Sequence, residues 1–212
     1  MQSNPSARGF QVGIVIFDDV EVLDFAGPFE VFTVAGEILK DSADENRQAG
    51  TIRALTIAQS DQIVKARGNL LIQPHSTFEN HPPLDLLVVP GGWGTRRQAE
   101  NPMMLDWLRR VTPTTTINAS VCTGAFLLGK IGLFDGRKAT THWQSLDRMA
   151  AAFPNVQVMR DVRWVDEGNV VSSAGISAGI DMSLHLVERL YGMALADETA
   201  HEMEYHWQKH LA

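Results

Sequence analysis

TTTINASVCTGAFLLGKIG, residues 114–132, changes character at its centre. The part up to Val121 reads as a short buried strand, and the part from Thr123 reads as a helix that stops near Gly132. Cys122, the one cysteine of the 212 residues, lies at the joint. Small residues at 119, 120 and 124 leave room for a tight strand-to-helix turn, so the stretch has the form of a nucleophile elbow on an α/β sheet.

Outward from this joint the same alternation repeats. Residues 10–17 (FQVGIVIF) read as a buried strand and 25–39 as a helix, with Phe25, Phe29 and Phe32 on one stripe and Pro28 in its first turn. Residues 51–59 read as a strand, and 62–74 as a hairpin turning at Arg67-Gly68-Asn69. A buried strand at 84–92 ends in glycines, and MMLDWLRRV is a helix. WQSLDRMAAAF is a further helix. VQVMRDVRWVDEGNVVSSAG alternates as a hairpin with its turn near 166–169, and SAGIDMSLHLVERLYG and ADETAHEMEYHWQKH are closing helices. The pattern predicts a doubly wound α/β fold with a mostly parallel sheet and helices on both faces. It predicts one domain over residues 10–212 behind a disordered tail, 1–9.

Composition narrows the function. Hydrophobic residues make up 44% and charged residues 20%, as in ordinary globular chains, and the formal net charge is −7. That charge speaks against a surface for nucleic acid or anionic lipid. A single cysteine excludes an internal disulfide framework and a multi-cysteine zinc site. No stretch is long and apolar enough for a membrane helix, and MQSNPSARGF lacks the core of a signal peptide. The expected setting is the cytoplasm.

In open α/β sheets functional groups gather beyond the carboxyl ends of the strands. Asp24 follows the first strand, Gly91-Gly92-Trp93-Gly94 the strand at 84–90, and Cys122 the strand that ends at Val121. A cysteine at a helix start is expected to have its thiolate stabilised and its pKa lowered. The amides of Gly91 and Gly92 would hold a developing negative charge. Asp24 would exchange a proton with the thiol or the substrate, and beside a thiolate its own pKa would rise. Against this stand the plainer readings, an inert buried Cys122 and an Asp24 that caps its helix.

Four segments carry a resemblance: GIVIFDDVEVLDFAGPFEVF, LDLLVVPGGWG, SVCTGAFLLGKIGLFDGRKATTHW and SSAGISAGIDMSLHLVERLYG. Together they resemble the ThiJ/PfpI superfamily, relatives of class I glutamine amidotransferases, over about Phe10 to Tyr205. Within it they are most similar to the isocyanide hydratase branch, through Leu23-Asp24 with Gly27-Pro28, Cys122-Thr123-Gly124, Ala139 to Trp143 and Gly175 to Asp181. The resemblance implies a flavodoxin-like fold, a homodimer, and neither a metal nor an organic cofactor. It implies Cys122 as nucleophile on an isocyanide carbon, Asp24 as general acid/base, Thr123 as a hydrogen-bonding neighbour, and a thioimidate that hydrolyses to an N-substituted formamide. Trp93 stands where a small residue is common, and Ala125 where isocyanide hydratases carry serine. The same core occurs in AraC-type regulators, whose DNA-binding helices would find no room in 212 residues.

Gly91, Gly92, Trp93, Gly124, Ile176 and Ser177 are the expected substrate-side residues, and His142 is a possible further catalytic group. GISAG, 175–179, matches the serine-hydrolase elbow, but too little chain follows to supply an acid and a histidine, so Ser177 reads as a helix cap. HEMEYH spaces its histidines five apart, which suits no metal-binding helix face, and His206 and His210 lack a third ligand. Arg96-Arg97 and Arg109-Arg110 read as solvated surface. The leading expectation is a hydratase of a small, mostly apolar molecule. The alternatives are a redox-sensing or ligand-binding protein without turnover, and a glyoxalase- or amidase-like enzyme on the same cysteine.

Overall fold

In a computed structural model, residues 9–42 and 51–209 are described; the expected tail lies almost wholly outside them, as does His210. In chain order the elements are β1 (Phe10–Val15), α1 (Val22–Asp41), β2 (Ile52–Ala58), β3 (Val64–Lys65), β4 (Leu71–Ile72), β5 (Ser76–Thr77) and β6 (Leu86–Val89). Then follow α2 (Thr95–Gln98), α3 (Pro102–Val111), β7 (Ile117–Val121), α4 (Ala125–Lys130), β8 (Lys138–Ala139), α5 (Leu146–Ala152) and β9 (Gln157–Val158). The last are β10 (Trp164–Asp166), β11 (Val170–Ser173), α6 (Ala178–Tyr191) and α7 (Met193–Glu202).

Seven strands form the main sheet in the order β10-β11-β7-β6-β1-β2-β5. Every neighbouring pair is parallel except β10–β11 at one edge. The chain winds outward from β1 through β2 to β5, then returns to β6 and winds the other way. The reversal between β1 and β6 is the switch point where α/β sheets of this kind open a crevice. Helices surround the sheet, which explains why β6 and β7 are buried at every residue and read as unbroken rather than alternating runs.

α3 shows how local signals set an element. Asn101 accepts a hydrogen bond from the Met103 amide, Pro102 takes the first helical position, and Met104, Trp107, Leu108 and Val111 bury one stripe. α1 departs from expectation. It begins at Val22, so Pro28 lies inside it rather than in its first turn, and the ring leaves the Asp24 carbonyl without its usual amide donor. The hairpin at 62–74 forms from β3 and β4, as expected. The later hairpin is only β10 and β11; β9 pairs instead with β8 in a separate parallel ribbon.

The last helix is shorter than its sequence pattern. Glu204 takes a left-handed φ of 47°, the Tyr205 amide reaches back to the Ala200 carbonyl at 2.9 Å, and the Glu204 amide to that of His201 at 2.9 Å. This pair of bonds is a Schellman stop, normally signalled by glycine, and here a glutamate fills it. The following segment returns to α6, where the fully buried Asp181 accepts the Gln208 amide at 3.0 Å and pairs with Arg163.

Candidate active site

Cys122 sits at the end of β7 with φ of 57°, a conformation unfavourable for a side chain bearing Cβ. Surrounding contacts impose it. The Cys122 amide donates to the Ala174 carbonyl at 3.2 Å, and the Thr141 hydroxyl donates to the Cys122 carbonyl at 2.7 Å. One turn of 3-10 helix, Cys122–Gly124, then leads into α4. Gly124 is needed there because a Cβ would come within 1.9 Å of the Val89 carbonyl oxygen. Gly124 is therefore a packing residue and does not line the cleft.

Asp24 is the third residue of α1 and is fully buried. It does not cap the helix; Glu21 holds that position. Its Oδ2 accepts the Gly91 amide at 3.0 Å, and its Oδ1 is buried with no hydrogen-bond partner among the described residues. Burial pushes the carboxyl up to about 7, although the Gly91 amide, the Cys122 thiol and the Ile176 amide all favour its charged form. The expectation of a raised Asp24 pKa is thus met in direction.

The thiol behaves otherwise than expected. Burial and the neighbouring Asp24 charge push its pKa well above the ordinary thiol value, and the Thr123 amide and hydroxyl only partly offset this. α4 has six residues, too short a dipole to outweigh removal from water. With its pKa raised by burial and by the Asp24 charge, the resting thiol keeps its proton.

The glycine loop also differs from its expected role. The Gly91 amide is engaged by Asp24, and the Gly92 amide donates to the Thr123 hydroxyl oxygen at 3.1 Å. Neither is free to hold a substrate oxyanion. The loop instead orients the reacting groups. Gly92 forms an isolated antiparallel bridge with Val20, and the Glu21 amide donates to the Gly91 carbonyl at 3.0 Å. The Thr95 hydroxyl lies 3.2 Å from that of Thr123, which completes a small network beneath the thiol.

Above the thiol is a cleft of about 480 Å³. Of the expected residues, Cys122, Thr123, Gly92, Trp93, His142 and Ile176 line it. Ile176, like Cys122, has a left-handed φ, 52°, and its loop follows β11, a fourth strand end at the crevice. Ser177 takes the N-cap position of α6, as expected, but makes no side-chain cap bond; it is exposed, accepts from Arg163 at 3.3 Å and does not line the cleft. His142 accepts the Gln144 amide on Nδ1 at 3.3 Å, which leaves Nε2 as the protonated nitrogen of the neutral ring, and burial lowers its pKa.

Sequence reasoning missed the charged wall of this cleft. Glu21, Arg67, Arg96 and Arg148 line it. Arg67 pairs with Glu21. Arg96 stacks over the Trp93 ring at 4.3 Å and Arg148 over the Phe126 ring at 4.2 Å. Arg96 is exposed, as expected, and also lines the cleft, whereas its neighbour Arg97 pairs with Asp19 on the exterior. Topology did hold a signal for two of them, since Arg67 and Arg96 follow strand ends or turns on the carboxyl side of the sheet. Among the described residues no group of three His, Cys, Asp or Glu side chains is placed to hold a metal, and no helix is long and apolar enough to cross a membrane.

The sequence pattern of the DJ-1/PfpI family matches residues 11–189. An isonitrile hydratase of Pseudomonas putida is 32% identical over 92% of this chain and 78% of its own length. The HTH-type transcriptional regulator GbdR of Pseudomonas aeruginosa is 28% identical over 91% of the chain, which spans only 49% of that regulator. Among solved structures, a ThiJ/PfpI family protein from Pseudomonas syringae superposes with a TM-score of 0.81 at 26% identity, covering 100% of this chain and 81% of that one. DJ-1beta of Drosophila melanogaster, at 19% identity and a TM-score of 0.77, covers 94% of this chain and 100% of its own, and shows the shared flavodoxin-like fold.

Proposed function

The chain belongs to the DJ-1/PfpI family, and we propose that within it the chain is a cysteine-dependent hydratase converting isocyanides to N-substituted formamides. The observation that carries this reading is the buried Asp24 carboxyl beside the Cys122 thiol, with a pKa near neutrality and one oxygen unpartnered. A base of that strength, dry and in contact with the nucleophile, is matched to proton transfer at neutral pH.

Asp24 takes the thiol proton as Sγ attacks the terminal isocyanide carbon, and delivers that proton to the same carbon. A C–S bond forms, and the product is a thioimidate, R–N=CH–S–Cys122. Water then adds across the C=N bond, with hydroxyl on carbon and a proton on nitrogen. The tetrahedral adduct expels the thiolate, the C–S bond breaks, and Asp24 carries the hydroxyl proton back to sulfur as the formamide leaves. The network of Thr123, Thr95 and Gly92 holds the thiol in place throughout. The dimer implied by the resemblance is part of this proposal, and light scattering tests it.

The test is formamide formation from a simple alkyl or aryl isocyanide by the purified protein, with Cys122→Ala and Asp24→Asn alongside. Turnover lost in both variants supports the reading. Turnover kept in Cys122→Ala refutes it, and absence of any turnover moves attention to amidase or glyoxalase chemistry on the same cysteine. A redox sensor is the weaker reading, because sensor thiols are accessible and acidic, and this one is buried and pushed up.

A further inference from the structure

The walls of the cleft carry positive charge that the hydration chemistry does not use. Arg67 is neutralised by Glu21. Arg96 and Arg148 are not paired: no carboxylate among the described residues forms an ion pair with either, and each instead lies over an aromatic ring, Trp93 and Phe126. Arg148 also donates to the Ser145 hydroxyl at 3.3 Å, which further fixes its guanidinium. The two groups line the same small cleft as the thiol. Stacked guanidinium planes keep their edges and N–H donors free for a planar acceptor.

We infer that the substrate of this cleft carries a carboxylate, held by Arg96 and Arg148, and is not the apolar molecule expected from sequence. The inference rests on the reading of the Cys122 cleft as the reaction site. Two further observations agree with it. Burial and the facing charge of Arg96 both lower the pKa of Arg148, so an anion between them relieves a repulsion. Trp93, 62% exposed, supplies the platform under Arg96 at the mouth, which accounts for a large side chain in the glycine loop.

The lone cysteine allows a test that does not need turnover. Cys122 is alkylated in alkaline buffer by iodoacetate, an anion, and by iodoacetamide, its neutral counterpart; in each case the C–S bond forms as iodide leaves. The ratio of the two rates, divided by the same ratio for glutathione, reads the cleft's preference for a carboxylate. The expected value is about tenfold above glutathione, falling about tenfold in Arg148→Gln or in the double variant with Arg96→Gln. Arg109→Gln, on α3 and outside the cleft, leaves the ratio unchanged. A wild-type ratio equal to that of glutathione, or variants that keep the wild-type ratio, overturns the inference. Turnover of isocyanoacetate and of its neutral methyl ester is measured in parallel. If neither is hydrated while the alkylation preference holds, the hydratase reading fails and carboxylate selection stands. If both are hydrated equally and the preference is absent, the reverse is true.

Discussion

The Gly91 amide meets Oδ2 of Asp24 at 3.0 Å, across 67 residues of sequence. This bond fixes the carboxyl of α1 against the loop after β6, and it sets the position of the proposed general base relative to the thiol. A Cβ on Gly91 would lie 2.8 Å from that oxygen and 2.6 Å from the Thr123 amide nitrogen. Gly91→Ala therefore displaces base and nucleophile neighbour together. Expected is a loss of at least about tenfold in kcat with a stability cost of about 1–3 kcal/mol. Steady-state kinetics and thermal denaturation on the same sample check it. Gly124→Ala, whose Cβ would strike the Val89 carbonyl, costs more stability than Gly91→Ala.

Asp24→Asn keeps the shape of the side chain and removes the base. Hydratase turnover should fall by about 10²- to 10⁴-fold, the usual worth of a positioned proton-transfer group. Cys122→Ala should abolish it. Residual turnover in Asp24→Asn within a factor of three of wild type would remove Asp24 from the mechanism.

The raised carboxyl pKa makes stability depend on pH. The folded state binds the Asp24 proton more tightly than the unfolded chain does, with a pKa of about 7 against 3.8. The resulting stabilisation is complete below about pH 4 and is lost as pH rises through about 7. Its size is roughly 4 kcal/mol at 1.36 kcal/mol per pH unit. Asp24→Asn should flatten this part of the stability curve, so that chemical denaturation shows the variant gaining on wild type between mildly acidic and mildly alkaline buffer. Parallel curves for the two proteins would contradict the assignment.

Cys122 should react with neutral iodoacetamide more slowly than glutathione at neutral pH, because burial and Asp24 hold its proton on. Removing the Asp24 charge lowers the thiol pKa, so Asp24→Asn should be alkylated faster than wild type in alkaline buffer even as it loses turnover. An equal or slower rate in the variant would show that the carboxylate does not raise the thiol.

Away from the cleft, Asp181→Ala should cost about 1–3 kcal/mol, because it leaves the partly exposed Arg163 without its partner and the Gln208 amide without its acceptor. Denaturant titration measures it. Accelerated amide exchange at 205–208 should accompany it.

The strand–cysteine–helix joint was legible because the period changes within a few residues and the one thiol marks the place. Asp24 was legible through topology: a carboxylate just past a central strand has one crevice to face. Of the arginines, Arg67 and Arg96 left only a topological hint and Arg148 none, since they come from three separate elements and only the tertiary fold brings them around one thiol. The thiol pKa was misread for the same reason. A helix start is visible in sequence, whereas the depth of burial and a carboxylate delivered by another helix are not. The end of α7 escaped because its stop signal is a left-handed glutamate rather than a glycine.

The backbone grip on Cys122 comes from Thr141 and Ala174, both later in the chain than the cysteine itself. During synthesis from the N-terminus, the thiol emerges before either of the groups that will enclose it. Until β11 docks beside β7, the only sulfhydryl of the chain stands open to electrophiles. The slowing of its reaction with a thiol reagent is thus a built-in clock for the completion of folding, readable without any added probe site.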